Sequence, residues 1–405
     1  MARKMKDSGI EWIGEIPEGW ELRKGKSLYR VTTGKLDANA ENPDGDYPFF
    51  TCSMAPKRIN SYSFDCEALL VAGNGLVGFT QYYKGKFDAY QRTYVLSDFR
   101  NVLPSFLRYY VSVGLPMEVQ PKSIGSVIQF IKLGDLLNFN ITLPSIEQQT
   151  IISNYLEFKI IQIDAILSKT RSSIEEYKKL KQAVITQAVT KGVRGEREMK
   201  DSGVEWIGEI PVNWTIQRFA RVAEVKSNLV SPDNYLEYPQ ISPENIEKDS
   251  GKLLLPCRTV AEVGVISGNH LFYKGQILYS KIRPKLNKVC IAPFDGLCSA
   301  DMYPIESKND TRYIMYCILS NGFLQQVSMI TENRVKMPKI NQVELSKVLV
   351  AIPETIAEQK EIADYLDAKC AEIDKLIAKK EQLVKELESY KKSFIYEVVT
   401  GKREV

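Results

Sequence analysis

A 16-residue segment occurs twice in this chain of 405 residues. Met5–Trp20 reads MKDSGIEWIGEIPEGW and Met199–Trp214 reads MKDSGVEWIGEIPVNW, so 13 of 16 positions are identical at an offset of 194. Internal repetition limits the possible folds more than any local pattern, because each copy must belong to the same kind of structural unit. The chain is therefore predicted to consist of two related halves.

A second repeat follows each copy, at an offset of 210. Ile151–Gly192 and Glu361–Lys402 share Tyr-Leu near the start, Ile-Asp in the middle and Val-Thr near the end. Neither segment contains proline, or glycine before Gly192 and Gly401, which suit helix C-caps. We predict two long helices of roughly 60–70 Å, at about 1.5 Å per residue.

Apolar residues in both helices recur at alternating steps of four and three, which is a sustained heptad pattern. Polar residues interrupt both patterns at equivalent places, at Thr170 and Lys380 and at Lys181 and Lys391. Each helix could pack on its own domain, but we favour a coiled coil between the two, in which the matching polar positions set the register. The residues predicted to form the helix interface are Leu156, Ile160, Ile163, Leu167 and Ile174, with Leu366, Ile373, Ile377, Val384 and Leu387.

The repeats divide the chain into four predicted parts. Residues 1–144 and 197–353 form two domains, and residues 145–196 and 354–405 carry the helices. The inserts between the repeats differ in sequence and contain both strand-like runs, such as EALLVAG and RTYVLS, and helical pieces, such as RYIMYCILSNGFLQQV. The repeated 16-residue segment is predicted to be structural, with its tryptophans and isoleucine packing each domain entry against a helix end. These residues are Trp12, Ile16 and Trp20 in the first copy and Trp206, Ile210 and Trp214 in the second.

Composition argues against several classes of protein. No apolar run approaches the roughly 18 residues that span a bilayer, and the N-terminus lacks the apolar segment of a secretory signal, so we expect a cytoplasmic protein. The seven cysteines are scattered without a C-x-x-C pair, which disfavours a zinc site and a disulfide framework. His270 is the one histidine, and we expect it to be an ordinary packing or surface residue.

Basic and amide side chains cluster in both inserts. Residues 21–143 contain 14 Lys and Arg against 11 Asp and Glu, and residues 215–351 contain 17 against 13. Any single residue of this kind is ordinarily solvated surface, but clusters in both inserts favour DNA, whose phosphates and base edges these side chains bind. The candidates are Lys57, Arg58, Asn74, Lys84, Lys86, Gln91, Arg92, Lys122 and Ser123 in the first domain, and Lys281, Arg283, Lys285, Lys288, Asn333, Arg334, Lys336 and Lys339 in the second.

A glycine motif imitates a dinucleotide-binding fingerprint. Gly73, Gly75 and Gly78 follow an apparent strand with G-x-G-x-x-G spacing. The fingerprint requires a helix directly after the glycines, whereas the residues that follow here have aromatic, strand-like composition. We therefore interpret the motif as a turn that brings backbone close to another group, such as DNA.

The chain resembles the specificity subunits of type I restriction-modification systems. The resemblance covers essentially all 405 residues and is carried by SGIEWIGEIPEGW, by the helix entries LP…EQQ…NYL…ID and IP…EQK…DYL…ID, and by YSKIRPKLNKVCIAP…CSAD. It implies an α+β fold in which two mixed α/β target-recognition domains are separated by two long antiparallel coiled-coil helices, with a pseudo-twofold internal repeat. Each domain would read one half of a split, asymmetric sequence in double-stranded DNA, and the helices would act as a molecular ruler.

The resemblance also implies what the chain lacks and what it binds. Family members are non-catalytic and bind no cofactor themselves. They bind two modification subunits, which carry S-adenosylmethionine, and restriction subunits in the full enzyme supply ATP- and magnesium-dependent activity. Two other hypotheses stay open at this point: a DNA-independent coiled-coil scaffold, and a self-sufficient enzyme, for which no cofactor motif is found.

Overall fold

The structure, a computed structural model, describes residues 3–119, 130–334 and 336–405. The chain forms two compact units: residues 1–171 with residues 382–405, and residues 172–381. The two long helices contribute to both units, because each unit boundary falls inside a helix.

A six-stranded sheet is the main feature of the first unit, with strand order β4-β9-β7-β8-β5-β6. The strands of the whole first unit are β1 (Met5–Asp7), β2 (Glu15–Pro17), β3 (Glu21–Lys24), β4 (Arg30–Thr33), β5 (Tyr47–Phe50), β6 (Lys57–Ile59), β7 (Phe64–Ala72), β8 (Thr80–Ala89), β9 (Thr93–Ser97) and β10 (Asn140–Leu143). The helices of this unit include α1 (Gly25–Leu28), α2 (Pro104–Val119), α3 (Leu133–Leu137) and the first part of α4 (Ile146–Lys191). The core lies where α2 packs on the sheet through buried Phe106 and Tyr110.

Two four-stranded sheets form the second unit, with orders β14-β21-β18-β19 and β15-β17-β20-β16. The strands are β11 (Met199–Asp201), β12 (Glu209–Pro211), β13 (Thr215–Arg218), β14 (Ala223–Val225), β15 (Leu229–Val230), β16 (Gln240–Ile241), β17 (Asn269–Phe272), β18 (Ile277–Ser280), β19 (Val289–Ile291), β20 (Gly296–Cys298), β21 (Met302–Ser307) and β22 (Leu349–Ile352). The helices are α5 (Phe219–Val222), α6 (Val260–Val263), α7 (Thr311–Leu319), α8 (Asn321–Thr331) and α9 (Gln342–Lys347), together with the last part of α4 and the first part of α10 (Ile356–Val399).

The two halves share a frame and differ in their inserts, as the repeats predict. Each 16-residue copy folds into an antiparallel pair, β1 with β2 and β11 with β12, in the same register. In both halves the next strand pairs with the strand that precedes the long helix, β3 with β10 and β13 with β22. Between these shared elements, one half builds a single six-stranded sheet and the other builds two smaller sheets.

The repeated tryptophans lie at the ends of the long helices. Gly192 and Gly401 adopt left-handed backbone with φ of +79° and +74°, as expected of C-caps. A Cβ at Gly192 would lie 3.4 Å from the Trp214 ring, and one at Gly401 would lie 3.1 Å from the Trp20 ring. Trp20 and Trp214 are both buried. The predicted packing of each domain entry against a helix end is confirmed for these two residues.

The two long helices pack antiparallel within each unit. In the first unit Tyr155 contacts Phe394 with ring centroids 5.8 Å apart, and Asp164 accepts a hydrogen bond from Lys391. In the second unit Lys181 pairs with Asp374. The predicted coiled-coil-like pairing is thus present. Of the predicted interface residues, those buried are Leu156, Ile160, Ile163, Leu167, Ile174, Leu366 and Ile373, and those half-buried are Ile377, Val384 and Leu387.

The matching polar positions of the two helices have different partners, and their role in setting the register stays a prediction. Lys181 and Lys391 each bind an aspartate on the other helix, and Lys380 lies over the ring of Tyr177. The Thr170 hydroxyl donates to the carbonyl of Ile166 in its own helix. The physical reason is that an antiparallel pair places equivalent positions at opposite ends, so each polar residue meets a different partner.

No helix in the described part of the chain is long and apolar enough to cross a membrane.

Candidate nucleic-acid interface

Two basic loops of the second unit, separated by more than 40 residues in sequence, are hydrogen-bonded to each other. Ile282 and Lys339 form an isolated antiparallel bridge. The Arg283 backbone N–H donates to the Pro338 carbonyl at 2.8 Å, and the Ile340 N–H donates to the Lys281 carbonyl at 2.9 Å. The structure therefore brings together the two clusters that the sequence analysis named separately, residues 281–288 and residues 333–339. We call this surface the basic double loop.

The backbone of the basic double loop adopts an unfavourable conformation at three non-glycine residues. Arg283, Asn287 and Met337 have φ of +44°, +42° and +50°, in the left-handed region that L-residues rarely occupy. Pro284 begins a 3₁₀ turn, Pro284–Leu286, between the first two of these. Such conformations cost of order 1–3 kcal/mol each and cluster at functional sites, where the surrounding structure holds them.

Some of the predicted DNA-binding cations are already engaged within the protein. The Lys288 ammonium donates to the Pro243 carbonyl at 2.6 Å, and that of Lys339 donates to Asp301 at 2.9 Å. Arg334 binds Glu344 through both of its terminal nitrogens, and the hydrogen bond from this guanidinium holds the pKa of Glu344 below its usual range. These three side chains brace the basic double loop rather than extending from it.

Four predicted residues of the basic double loop remain free to contact a ligand. Arg283, Lys285, Asn333 and Lys336 are exposed, and their side chains have no hydrogen-bond or ion-pair partner among the described residues. Three cations that are unpaired among the described residues, on two loops joined by backbone hydrogen bonds, form a surface suited to phosphate and base-edge contacts.

In the first unit, turns at one end of the six-stranded sheet lie together. The Gly73 N–H donates to the Arg92 carbonyl at 2.9 Å, and Asn74 forms a bridge with Phe130. Gln91 anchors its own turn through its N–H, which donates to the Leu36 carbonyl. The structure therefore places Asn74, Gln91 and Arg92 at one site, where the exposed Arg92 side chain has no partner among the described residues.

The other described candidates of the first unit are placed differently. Lys84 and Lys86 lie on β8 directly across from Glu67 and Asp65 on β7, so neighbouring carboxylates offset their charge. Lys57 pairs with Glu41 at 2.5 Å. In β6, the Arg58 Nε donates to the Gly45 carbonyl. Lys86 also lies over the ring of Tyr62. The two remaining candidates, Lys122 and Ser123, lie outside the described residues.

Sequence reasoning missed one part of this surface. His270, Tyr303 and Ser227 lie with Lys281 and Gln342 around a cleft beside the basic double loop. Lys281 is a member of the first predicted basic cluster, and Gln342 follows shortly after the second, but nothing in the sequence pointed to the other three residues. The histidine comes from a buried strand, β17, and carries no local pattern that marks it as exposed to a ligand.

The glycine motif, the possible metal ligands and two of the cysteines can each be compared with the requirements of a cofactor or catalytic site. The Gly73–Gly78 motif connects β7 to β8, so a strand follows it instead of the helix that a dinucleotide site requires. Among the described residues no group of three or more His, Cys, Asp or Glu side chains is placed to hold a metal ion. Burial raises the pKa of the Cys290 and Cys317 thiols to about 12, so both stay protonated and unreactive at neutral pH.

This geometry defines a class of protein: two different recognition domains mounted on one repeated helical frame. Comparisons with known proteins identify the family. A model of the type I restriction modification DNA specificity domain matches the chain twice, over residues 17–176 and 211–387. The chain therefore belongs to the type I restriction-modification DNA specificity family and contains two such domains.

Individual relatives agree with this membership. The chain is 39% identical over 364 residues to the type I restriction enzyme EcoDI specificity subunit of Escherichia coli, with 86% of this chain and 81% of that protein covered. It is 23% identical over 412 residues to the MjaVIII specificity subunit of Methanocaldococcus jannaschii, covering 96% and 93%. A solved chain from a study of complex assembly and conformational transition of the type I R-M system has a similar fold, with a TM-score of 0.68 at 14% identity, covering 96% of this chain and 99% of that one.

Proposed function

We propose that this specificity subunit reads a bipartite, asymmetric DNA target, with each recognition domain binding one half-site. The basic double loop carries this proposal. Its four unpaired polar side chains lie on a backbone held by hydrogen bonds between two remote segments. The two domains are built on different sheets, which supports different half-sites.

The helix pair would set the distance between the half-sites. α4 has 46 residues and α10 has 44, which corresponds to about 65–70 Å of helix at 1.5 Å per residue. Linkage of the two domains in one chain also raises affinity, because binding of one domain increases the effective concentration of the other at its half-site. The spacer would thus be fixed by helix length and not read by any side chain.

The catalytic work would belong to partner proteins. The proposed partners are two modification subunits that bind S-adenosylmethionine, together with restriction subunits that use ATP and magnesium. The chain itself would be non-catalytic, bind no cofactor and act in the cytoplasm, where its DNA is found. Membership of the specificity family supports this division of labour.

Mapping methylated bases tests the proposal. The chain is co-expressed with a cognate modification subunit in a host that lacks other methyltransferases, and the genome is sequenced for modified bases. We expect one split motif with an unread spacer of constant length. A genome without such a motif, from cells in which the two subunits copurify, would contradict the proposal.

The scaffold hypothesis predicts a different result. A DNA-independent scaffold would leave the two different sheets and the unpaired cations of the basic double loop without a role, and it would copurify with partners while directing no methylation. A self-sufficient enzyme would methylate or cleave DNA without any added subunit. The same co-expression experiment, run with and without the modification subunit, separates all three hypotheses.

A further inference from the structure

The second unit contains a cleft of about 730 Å³ beside the basic double loop. Its walls come from the segment before β15, from β17, from the end of β18 and from the first turn of α9. The volume lies within the range of roughly 300–1,000 Å³ that ligand sites usually occupy. Lys281 belongs to both surfaces, so the cleft is continuous with the predicted DNA-binding loop.

His270 forms part of the cleft wall. Its side chain is only 3% exposed, and its Nδ1 is buried without a hydrogen-bond partner among the described residues. An unmade hydrogen bond of this kind is unfavourable in a folded protein, and here it occurs beside a cleft. Burial, and secondarily the nearby Lys281 ammonium, lowers the pKa of the imidazole, so the ring is neutral at pH 7 and offers one donor and one acceptor.

Lys281 is positioned at the cleft rather than left free in solvent. Its ammonium lies 5.2 Å from the centre of the Tyr303 ring, and that ring is held in turn by a hydrogen bond from its hydroxyl to the Ile340 carbonyl at 3.3 Å. A cation held against an aromatic face keeps its N–H donors available in a defined direction.

Two amides complete the polar lining. The Gln342 Nε2 donates to the Ser227 hydroxyl at 2.5 Å, which fixes the amide and leaves its Oε1 without a donor among the described residues. The Asn341 Oδ1 accepts from the Glu344 N–H at 2.9 Å as the N-cap of α9, and its Nδ2 has no acceptor in the described part of the chain. The cleft therefore presents fixed donors and a fixed acceptor side by side.

The side chains of the lining are of mixed polarity. Lys281 and Lys347 share the lining with the Glu344 carboxylate, which Arg334 already binds. Mixed amide donors and acceptors match the edges of nucleobases, which carry both kinds of group. We propose that this cleft receives the edge of one base of the half-site read by the second unit, with Lys281, Asn341 and Gln342 contacting the base and His270 forming the wall behind them.

This inference rests on the proposed function, and its test compares specificity at single positions. Once the target is known from methylated genomes, the variants Lys281→Met, Gln342→Met and His270→Phe are bound to duplexes in which each position of the target is changed in turn. We expect discrimination to fall about tenfold at one position of the second unit's half-site and to stay unchanged at the others. His270→Phe keeps a ring of similar size and so tests the imidazole nitrogens themselves.

Two controls distinguish this outcome from general damage. Gln325→Met alters an exposed amide of α8 outside the cleft and should change nothing. Arg283→Ala removes a free cation of the basic double loop and should instead weaken binding to all duplexes. If the cleft variants retain full single-position discrimination while still binding DNA, the inference is wrong. If the unaltered protein binds no target at all, the proposed function has failed instead.

A spectroscopic measurement checks the cleft directly. His270 is the one histidine of the chain, so ¹⁵N-histidine labelling gives imidazole signals that need no assignment. We expect these signals to shift when the cognate duplex is added and to stay in place when a duplex with only that base pair changed is bound. Identical spectra with both bound duplexes would overturn the proposal.

Discussion

The Lys181 ammonium lies 2.9 Å from one carboxylate oxygen of Asp374 and 3.0 Å from the other, and so bridges α4 and α10. The same pairing recurs at an offset of 210, where Lys391 donates to Asp164 at 2.6 Å. Each aspartate is the second residue of an Ile-Asp pair in the helix repeat. The repeat thus encodes one interhelical ion pair twice, once in each unit.

Asp374→Asn should destabilise the second unit more than Asp164→Asn destabilises the first. The Lys181 side chain is 7% exposed and that of Asp374 is 21% exposed, against 28% and 51% for Lys391 and Asp164. Loss of the carboxylate leaves a buried ammonium unpaired, which we expect to cost about 2–3 kcal/mol for Asp374→Asn. The exposed pair should cost below about 1 kcal/mol. Hydrogen exchange of α4 and α10 amides measures both losses, and equal losses would contradict the burial argument.

The contribution of Asp374 should depend on pH. Burial acts to raise the pKa of Asp374, but hydrogen bonds from Lys252 and Lys181 outweigh it and leave the pKa below the ordinary value. A lowered folded-state pKa means that the stabilisation is fully present above the unfolded pKa of about 3.9 and is lost as pH falls through the lower folded value. The stability difference between the parent and Asp374→Asn should therefore be constant from pH 7 to 5 and shrink below pH 4. Chemical denaturation across this range measures the difference.

Exchanging the residue beside each helix-end tryptophan, Glu358 beside Trp214 and Gln148 beside Trp20, should change the stability of the corresponding unit. Glu358 accepts hydrogen bonds from the Trp214 Nε1 at 3.2 Å and from Arg197 at 2.6 Å. The repeat places Gln148 at the equivalent position, and there the Trp20 Nε1 is buried without a hydrogen-bond partner among the residues that the structure describes. Glu358→Gln should destabilise the second unit by about 2–4 kcal/mol, because Arg197 loses a partner that is 3% exposed.

The reciprocal substitution is the matched test. Gln148→Glu should stabilise the first unit by about 1 kcal/mol, since Arg3 lies over the Trp20 ring and Gln148 lines the same small cavity. Thermal unfolding followed by tryptophan fluorescence reports both changes. A destabilised Gln148→Glu variant would show that the first junction excludes a carboxylate.

Free and braced cations of the basic double loop should affect DNA binding in different ways. Arg283→Ala or Lys336→Ala should weaken binding by about 1–3 kcal/mol, and loss of a phosphate contact should reduce the slope of log K against log salt by about 1. Lys288→Met should instead perturb the fold around Pro243, because that ammonium is bound to its carbonyl. Titrations at several salt concentrations, with circular dichroism of each variant, separate the two effects. Equal salt slopes for the parent and Lys336→Ala would exclude a phosphate contact by Lys336.

Lengthening both helices should lengthen the unread spacer of the target. Seven residues inserted after Lys169 and seven after Glu388 preserve the heptad pattern, because Arg171 and Glu388 are partners across the helix pair. The added helix is about 10 Å, or about three base pairs. Sequencing of methylated DNA should give the same half-sites with a longer spacer, and an unchanged spacer would refute the ruler. The matched control inserts seven residues in α4 alone, which should disrupt the pair.

Prediction from sequence succeeded where the signal is local or repeated. The heptad spacing correctly predicted α4 and α10, and Gly192 and Gly401 correctly predicted where these helices end. The repeated segments predicted the frame that the two halves share. The partners of the polar seam positions could not be predicted from the sequence, because equivalent residues of antiparallel helices do not meet. Prediction from sequence also treated Arg283 and Lys288 alike, since nothing in the sequence shows that the Pro243 carbonyl lies beside one of them.

The duplicated frame, the two long helices and the family can be predicted from the amino-acid sequence, because periodicity and repetition are found by comparing segments of the chain. Which described cations of the basic double loop are unpaired depends on tertiary contacts. Residues 281–288 and residues 333–339 become one surface through two backbone hydrogen bonds, which form the Ile282–Lys339 bridge. Ion pairs with Asp301 and Glu344 then engage some of its charges. The fold of the second unit also places His270 in the wall of a cleft. Such partnerships join residues far apart in the chain, and packing, not local pattern, selects them.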